Sequence, residues 1–215
     1  MTVQVQDTQD FMKVAKGRRS VRSYEPTEIS KEDVQEILET ATLAPSSSNM
    51  QPWRFLVAHD KESKSKLESA VLDFNKQRVA EASVGIVLLG DLKGYEKAEK
   101  IYDQAVKAGY MTEENKTQFV KSSLNLYRSI PQDKLKEIVL VDGGLVSMQL
   151  MLAARAKGYD TLPMGGYDPV KLKELFGISD QYMPIMVIAL GKAAQEGRPT
   201  TRLPIEEVTF WNTMD

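Results

Sequence analysis

A chain of 215 residues with 42% hydrophobic content can bury one sizeable core but not two full domains. Its formal net charge of −2, from 28 Lys+Arg against 30 Asp+Glu, offers no basic face for nucleic acid, yet leaves room for a local cationic pocket. With no cysteine and a single histidine, His59, the chain has no disulfide, thiol nucleophile, Cys-ligated metal or His cluster, so difficult chemistry falls to an organic cofactor.

Met1 to Asp10 is polar, with neither a basic start nor an apolar stretch, which is not the composition of a secretory signal; the expected compartment is the cytoplasm. A helix is expected over about 7–16, with Gly17 as its stop. Arg18-Arg19-Ser20-Val21-Arg22-Ser23-Tyr24 follows, and its guanidinium forks and hydroxyls match the geometry of phosphate oxygens. Ser30 with Asp33 resembles a capping box, and Val34, Ile37, Leu38 and Ala41 recur at helical spacing, which predicts a helix over 30–43. Pro45 and the serines after it stop that helix, leaving Pro45, Ser46, Ser47 and Asn49 in a loop whose hydroxyls and amides suit a flat polar ligand.

Alternation at Trp53, Phe55 and Val57 predicts a half-buried strand over 53–59. Asp60 can cap a helix over 61–75 whose Leu67, Ala70, Val71 and Phe74 form one stripe, with Asn75 and Arg78 at its last turn. Two short β-branched runs, Gly85 to Gly90 and Ile185 to Leu190, read as central strands. Between them, 93–130 is polar and helical, holds Tyr95, Tyr102, Tyr110, Phe119 and Tyr127, and looks like a lid or an excursion. The long helix over 132–157 ends at Gly158. Asp142, Gly143, Gly144, Gln149 and Arg155 interrupt its apolar part, so it reads as a core helix and not a lipid-facing span, with Gly143 and Gly144 permitting close helix packing. Asp168 and Pro169 start a short helix that stops at Gly177. Lys192 to Asp215 is an arm carrying Phe210 and Trp211 without a local core, which suggests docking on a second subunit. Strands mixed with long helices indicate an α+β sandwich, a central mixed sheet covered by helices.

Four motifs in this order, at 18–24, at Ala44 to Trp53, at Leu162-Pro163-Met164-Gly165-Gly166-Tyr167 and at Arg198 to Pro204, resemble the FMN-dependent nitroreductase family. The resemblance runs from about residue 10 to the C-terminus. It implies one FMN-binding nitroreductase-like domain over 1–215, assembled as an intertwined homodimer with FMN sites at the interface. It further implies that Arg18, Arg19, Ser20, Arg22 and Arg202 hold the phosphate and the pyrimidine edge of the ring. The loop of Pro45, Ser46, Ser47 and Asn49 then comes from the partner subunit. Asn75 and Arg78 lie at the O2 and O4 side, while Pro163, Met164, Gly165 and Gly166 line the ring, with the Gly165 amide donating to N5. Two departures stand out: Thr200 occupies a common lysine position, and Gly165 a common glutamate position.

The implied activity is reduction of nitroaromatics, quinones or similar small aromatic acceptors by NADPH or NADH in a ping-pong scheme with no catalytic side chain. No Gly-x-Gly-x-x-Gly follows a strand, so the nicotinamide would be a transient substrate. Neither nucleic acid nor a membrane is an expected partner. From the residues alone, other readings stay open: a solvated basic turn at 18–22, an ordinary turn at 45–49, and an Arg78 that only complements a helix dipole. At the level of function the alternatives are a same-fold dehalogenase or dehydrogenase, a flavin carrier or sensor without turnover, and a non-flavin anion-binding module.

Overall fold

A computed structural model of the chain describes residues 11–214; the expected helix start at 7–10 and the polar N-terminus lie outside the described residues. In chain order the elements are α1 (Phe11–Gly17), α2 (Lys31–Ala41), β1 (Trp53–Ala58), α3 (Lys61–Ala70), α4 (Asp73–Glu81), β2 (Val84–Asp91), α5 (Ala98–Lys107), α6 (Glu113–Ser129), α7 (Gln132–Ala156), β3 (Asp160–Met164), α8 (Pro169–Phe176) and β4 (Tyr182–Gly191). The sheet order is β1-β2-β4-β3 and every pairing is antiparallel. This corrects the expected mixed sheet, because the parallel pairing present is an isolated bridge between Ser20 and Thr161.

The sheet is covered on both faces, and β2, buried along its whole length, shows how. Its side chains alternate. Ile86 and Leu88 pack with Ile37 of α2 and Val146 and Leu150 of α7, whereas Val87 and Leu89 pack with Leu67 of α3, Val79 of α4 and Leu172 of α8. By length and composition α7 could cross a membrane, yet Val139, Val146, Leu150 and Ala154 are buried within the protein. A Cβ on Gly143 would stand 2.5 Å from Ile185, so this glycine lets α7 lie on β4, while one on Gly144 would meet open space. Leu140, Val141, Leu145 and Met148 leave an apolar stripe exposed on the outer side of α7.

Local capping explains the helix starts. Ser30, Asp60, Thr112 and Asp168 each accept a hydrogen bond from a first-turn backbone N–H, and Gly177 closes α8 in the left-handed region with φ 62°. The helix expected over 61–75 is instead two. Val71 is extended and pairs with Tyr167, the Leu72 N–H donates to the Gly166 carbonyl (3.0 Å), and the Asp168 N–H donates to the Ala70 carbonyl (2.8 Å). This capture by 166–168 breaks the rod, turns Phe74 to solvent and puts Asn75 in the first turn of α4. β3 was not expected from the sequence; it is an edge strand, where Pro163 can be accommodated.

Candidate active site

The basic segment after α1 is tacked to the sheet by two apolar pegs. Val21 and Tyr24 are buried, the Val21 N–H donates to the Thr161 carbonyl (3.1 Å), and the Tyr24 hydroxyl donates to the Val21 carbonyl (3.1 Å). Burial pushes the Tyr24 phenol well above its ordinary pKa, so it stays neutral. The chain leaving β4 then runs beside this segment: Glu25 N–H donates to the Lys192 carbonyl (2.9 Å) and Ala194 N–H to the Ser23 carbonyl (3.0 Å). A Cβ on Gly197 would collide with Arg19, so the absence of a side chain there lets the two ends of the polypeptide meet.

Where they meet lies a cleft of about 630 Å³ lined by Ser20, Arg22 and Ser23, by Arg78 of α4, and by Gln195 to Thr200, including Arg198. Three guanidiniums face one carboxylate, Glu196, so the cleft is suited to an anion. Arg18 is not among the residues lining the cleft, and its Nη1 is buried with no hydrogen-bond partner. Arg19 is turned elsewhere. Its Nη1 donates to the Lys16 (2.6 Å) and Arg18 (2.9 Å) carbonyls, and it lines a neighbouring cleft with Arg155 and Asp160. Arg202 is exposed, donates to Thr200 Oγ1 (2.9 Å) and the Thr201 carbonyl (2.7 Å), and is not among the residues lining the basic cleft.

Arg78 is held in place by a relay. Its Nη1 donates to Asn75 Oδ1 (2.7 Å), Asn75 Nδ2 donates to the Gly166 carbonyl (3.0 Å), and the guanidinium lies 5.9 Å from the Phe74 ring centroid. Asn75 is buried, which holds the relay in place, and Arg78 also lies in the last turn of α4. A Cβ on Gly166 would stand 2.8 Å from Phe74 and 2.9 Å from Asn75 Nδ2, so the relay occupies the space a side chain would need. Gly165 is exposed, and a Cβ there would meet nothing within 4 Å, which leaves its backbone open to a planar group. Of the two residues before it, Pro163 is half-buried and the Met164 side chain is committed to the core.

The loop at 45–51 sits elsewhere and does not line the basic cleft. Ser48, Asn49 and Gln51 all have positive φ, at 51°, 56° and 48°. Non-glycine residues in that region cost about 1–3 kcal/mol each and persist only where their surroundings over-determine them. Here Asp142 Oδ1 accepts from Ser47 N (3.0 Å) and Ser47 Oγ (3.2 Å), and the Tyr127 hydroxyl donates to the Ser47 carbonyl (3.0 Å). The Tyr102 hydroxyl reaches the Ser48 carbonyl (3.3 Å), Ser46 Oγ accepts from Gln51 N (3.0 Å), and Met50 is buried among Tyr102, Tyr127, Leu135 and Val139. Burial raises the Asp142 carboxyl above the ordinary carboxylate range, opposed by the two Ser47 hydrogen bonds.

Arg198, Asp142 and Tyr127 are the residues that sequence reasoning did not assign to a site. A carboxylate inside the apolar run of α7 was the available signal for Asp142. Arg198 opens the last of the four motifs, but no sequence signal assigned it a contact. Among the described residues no group of three or more His, Asp or Glu side chains could hold a metal ion.

Residues 15–192 match the sequence model of the Nitroreductase family. YdgI of Bacillus subtilis (strain 168), provisionally named an NAD(P)H nitroreductase, is 47% identical over 206 residues, covering 95% of this chain and 98% of its own length. The CLA biosynthesis enone reductase of Lactiplantibacillus plantarum is 36% identical over 195 residues, 90% of each chain. Among solved structures, a provisionally named nitroreductase in complex with FMN from Exiguobacterium sibiricum 255-15 aligns with a TM-score of 0.92 at 47% identity, over 96% of this chain and 99% of that one.

Proposed function

The chain belongs to the Nitroreductase family, and from that premise we propose that it is an FMN-dependent NAD(P)H oxidoreductase acting on nitroaromatics, quinones or similar small flat acceptors. The observation that carries this reading is the cleft joining Ser20, Arg22, Arg78 and Arg198 from three separate parts of the chain. An FMN phosphate carries about −2 at neutral pH, and each charge-assisted hydrogen bond to it contributes about 1.5–3 kcal/mol. The residues present fit that group: an excess of guanidinium in the cleft, a buried unpartnered donor on Arg18, and open space against the Gly165 backbone.

When bound, FMN supplies a ring that accepts hydride from NADPH or NADH and gives the electrons to the acceptor in a separate half-reaction, so one slot serves both. Arg18, Ser20, Arg22 and Arg198 would hold the phosphate end, with Arg198 compensating for Thr200. Arg78, oriented by Asn75, would keep positive charge on the pyrimidine edge, and the Gly165 amide would donate to the reacting side of the ring. Arg19, whose donors are committed to backbone carbonyls, would act by fixing the segment, and Arg202 would join the phosphate contacts by rotating off Thr200. Pro163 and Met164 would act through their backbone.

The loop of Pro45, Ser46, Ser47 and Asn49 would be supplied by the partner of a homodimer, with the exposed α7 stripe and the C-terminal arm as the covered faces. The cytoplasm, where both nicotinamides are available, is the proposed compartment. The test is direct. The purified protein should be yellow, release FMN on denaturation and bleach with NADPH or NADH in the absence of oxygen; acceptors to screen include an α,β-unsaturated ketone beside a nitroaromatic and a quinone. A colourless protein that takes up no FMN would overturn the reading.

A further inference from the structure

The hydrogen-bond pattern around Ser47 points to a function for two residues outside the cleft: we propose that Asp142 of α7 and Tyr127 of α6 are positioning residues that preset the shape of the 45–51 loop for the flavin ring. This rests on the FMN reading above.

The loop backbone is strained. Three non-glycine residues within four positions hold positive φ, so this backbone would relax if nothing gripped it. The grip is on the two peptide units that flank Ser47. Asp142 takes the N–H and hydroxyl of Ser47, and Tyr127 donates to its carbonyl, which leaves the residue no freedom to rotate about either bond. Each anchor is itself fixed. Asp142 is buried in α7 beside Gly143, whose close contact with Ile185 pins that turn of the helix to β4. Tyr127 is buried and stacks on Tyr95, ring centroids 5.7 Å apart.

Two consequences follow for function. The loop carries its binding geometry before any ligand arrives, which lowers the ordering cost of association. Helices α5 and α6 also serve as a buttress under that loop, because Tyr102 and Tyr127 reach it from them and Met50 plugs into the cluster they form with Leu135 and Val139.

The experiment measures FMN dissociation constants of the apoprotein by flavin fluorescence quenching, together with the apoprotein melting temperature, for wild type, Asp142→Ala, Asp142→Asn and Tyr127→Phe. Asparagine keeps an Oδ1 acceptor for Ser47. Asp142→Ala should weaken FMN binding by about 10- to 100-fold and shift the visible flavin spectrum, with the melting temperature kept near that of wild type. Asp142→Asn should bring affinity back to within about threefold of wild type, and Tyr127→Phe, which keeps the stacked ring, should weaken it by about three- to tenfold. Wild-type affinity in Asp142→Ala would overturn the proposal. So would a fall in melting temperature that fully accounts for lost binding and that asparagine does not rescue. Should the alanine variant not fold, wild-type affinity in Tyr127→Phe overturns it equally. Failure of wild type itself to bind FMN would instead sink the underlying functional reading.

Discussion

Two polar, proline-containing segments of this molecule, the 45–51 loop and the arm after Lys192, were both expected to touch the cofactor, and the structure treats them in opposite ways. In the loop the strained Ser48 and Asn49 lie next to peptides gripped by the Tyr127 and Tyr102 phenols, and the Gln51 N–H is taken by Ser46 Oγ. In the arm, Arg202 bonds only to Thr200 and Thr201, and Leu203, Ile205, Phe210 and Trp211 are 65%, 66%, 56% and 83% exposed. A segment adopts fixed geometry where something buried holds its backbone groups, and sequence polarity alone does not reveal whether that holder exists. One half of the candidate site is therefore organised within a single chain, whereas the other exposes apolar surface that a second copy would cover.

The largest expected effect breaks that contrast at its weak side. If the protein is the proposed homodimer, deleting 203–215 should convert it to monomers in light scattering and lower FMN occupancy after gel filtration by more than about tenfold, because burial of apolar side chains contributes about 25 cal/mol per Å² to such an interface. A deletion variant that stays dimeric and yellow would show that the arm is ornamental.

Next come the basic segment and the glycine turn. Arg18→Ala removes a guanidinium whose Nη1 is buried without a partner, and FMN affinity measured by equilibrium dialysis should fall by about 10- to 150-fold, the equivalent of one charge-assisted hydrogen bond. Gly166→Ala should act more weakly. Its new methyl group displaces Asn75 and Phe74, costing about 1–3 kcal/mol of overpacking if they cannot move, and denaturant unfolding together with an FMN titration separates lost stability from lost orientation of Arg78.

The smallest effect concerns pH and returns to the loop. Burial raises the folded carboxyl of Asp142 above its unfolded value, so its favourable contribution is complete below the ordinary carboxylate range of about 4 and is lost as pH rises through the folded value. Relative to Asp142→Asn, wild type should therefore lose stability across that rise, as read from urea midpoints at successive pH values. A parallel pair of curves would mean that Asp142 ionises as freely in the fold as out of it.

How much of this was legible in the sequence depends on the range of the interaction. Starts and stops set by neighbours were readable: Ser30 and Asp168 cap their helices, and Gly177 ends one, through contacts a few residues away. The break after Ala70 was not, because it is made by Gly166 to Asp168, nearly a hundred positions on. β3 escaped for a related reason. Its Pro163 reads as a turn signal, and only its place at the sheet edge makes the residue acceptable in a strand. In the site, Ser20, Arg22 and Arg78 were named from their residue types and do line one cleft, whereas Arg19 and Arg202 share the chemistry but point elsewhere. Guanidinium identity is written in the sequence; its direction is set by which carbonyls happen to be near. Asp142 and Tyr127 were invisible as site residues because their partner, Ser47, is 95 and 80 positions away.

The most direct measurement compares FMN with riboflavin, which differs by the phosphate alone, in calorimetric titrations of the apoprotein and of its Arg18→Ala variant. If the basic cleft and the Arg18 donor hold the phosphate, wild type should prefer FMN by at least about 100-fold, as expected for two or more charge-assisted hydrogen bonds, and the preference should shrink in the variant. Equal affinity for the two flavins, or a preference untouched by losing Arg18, would contradict it.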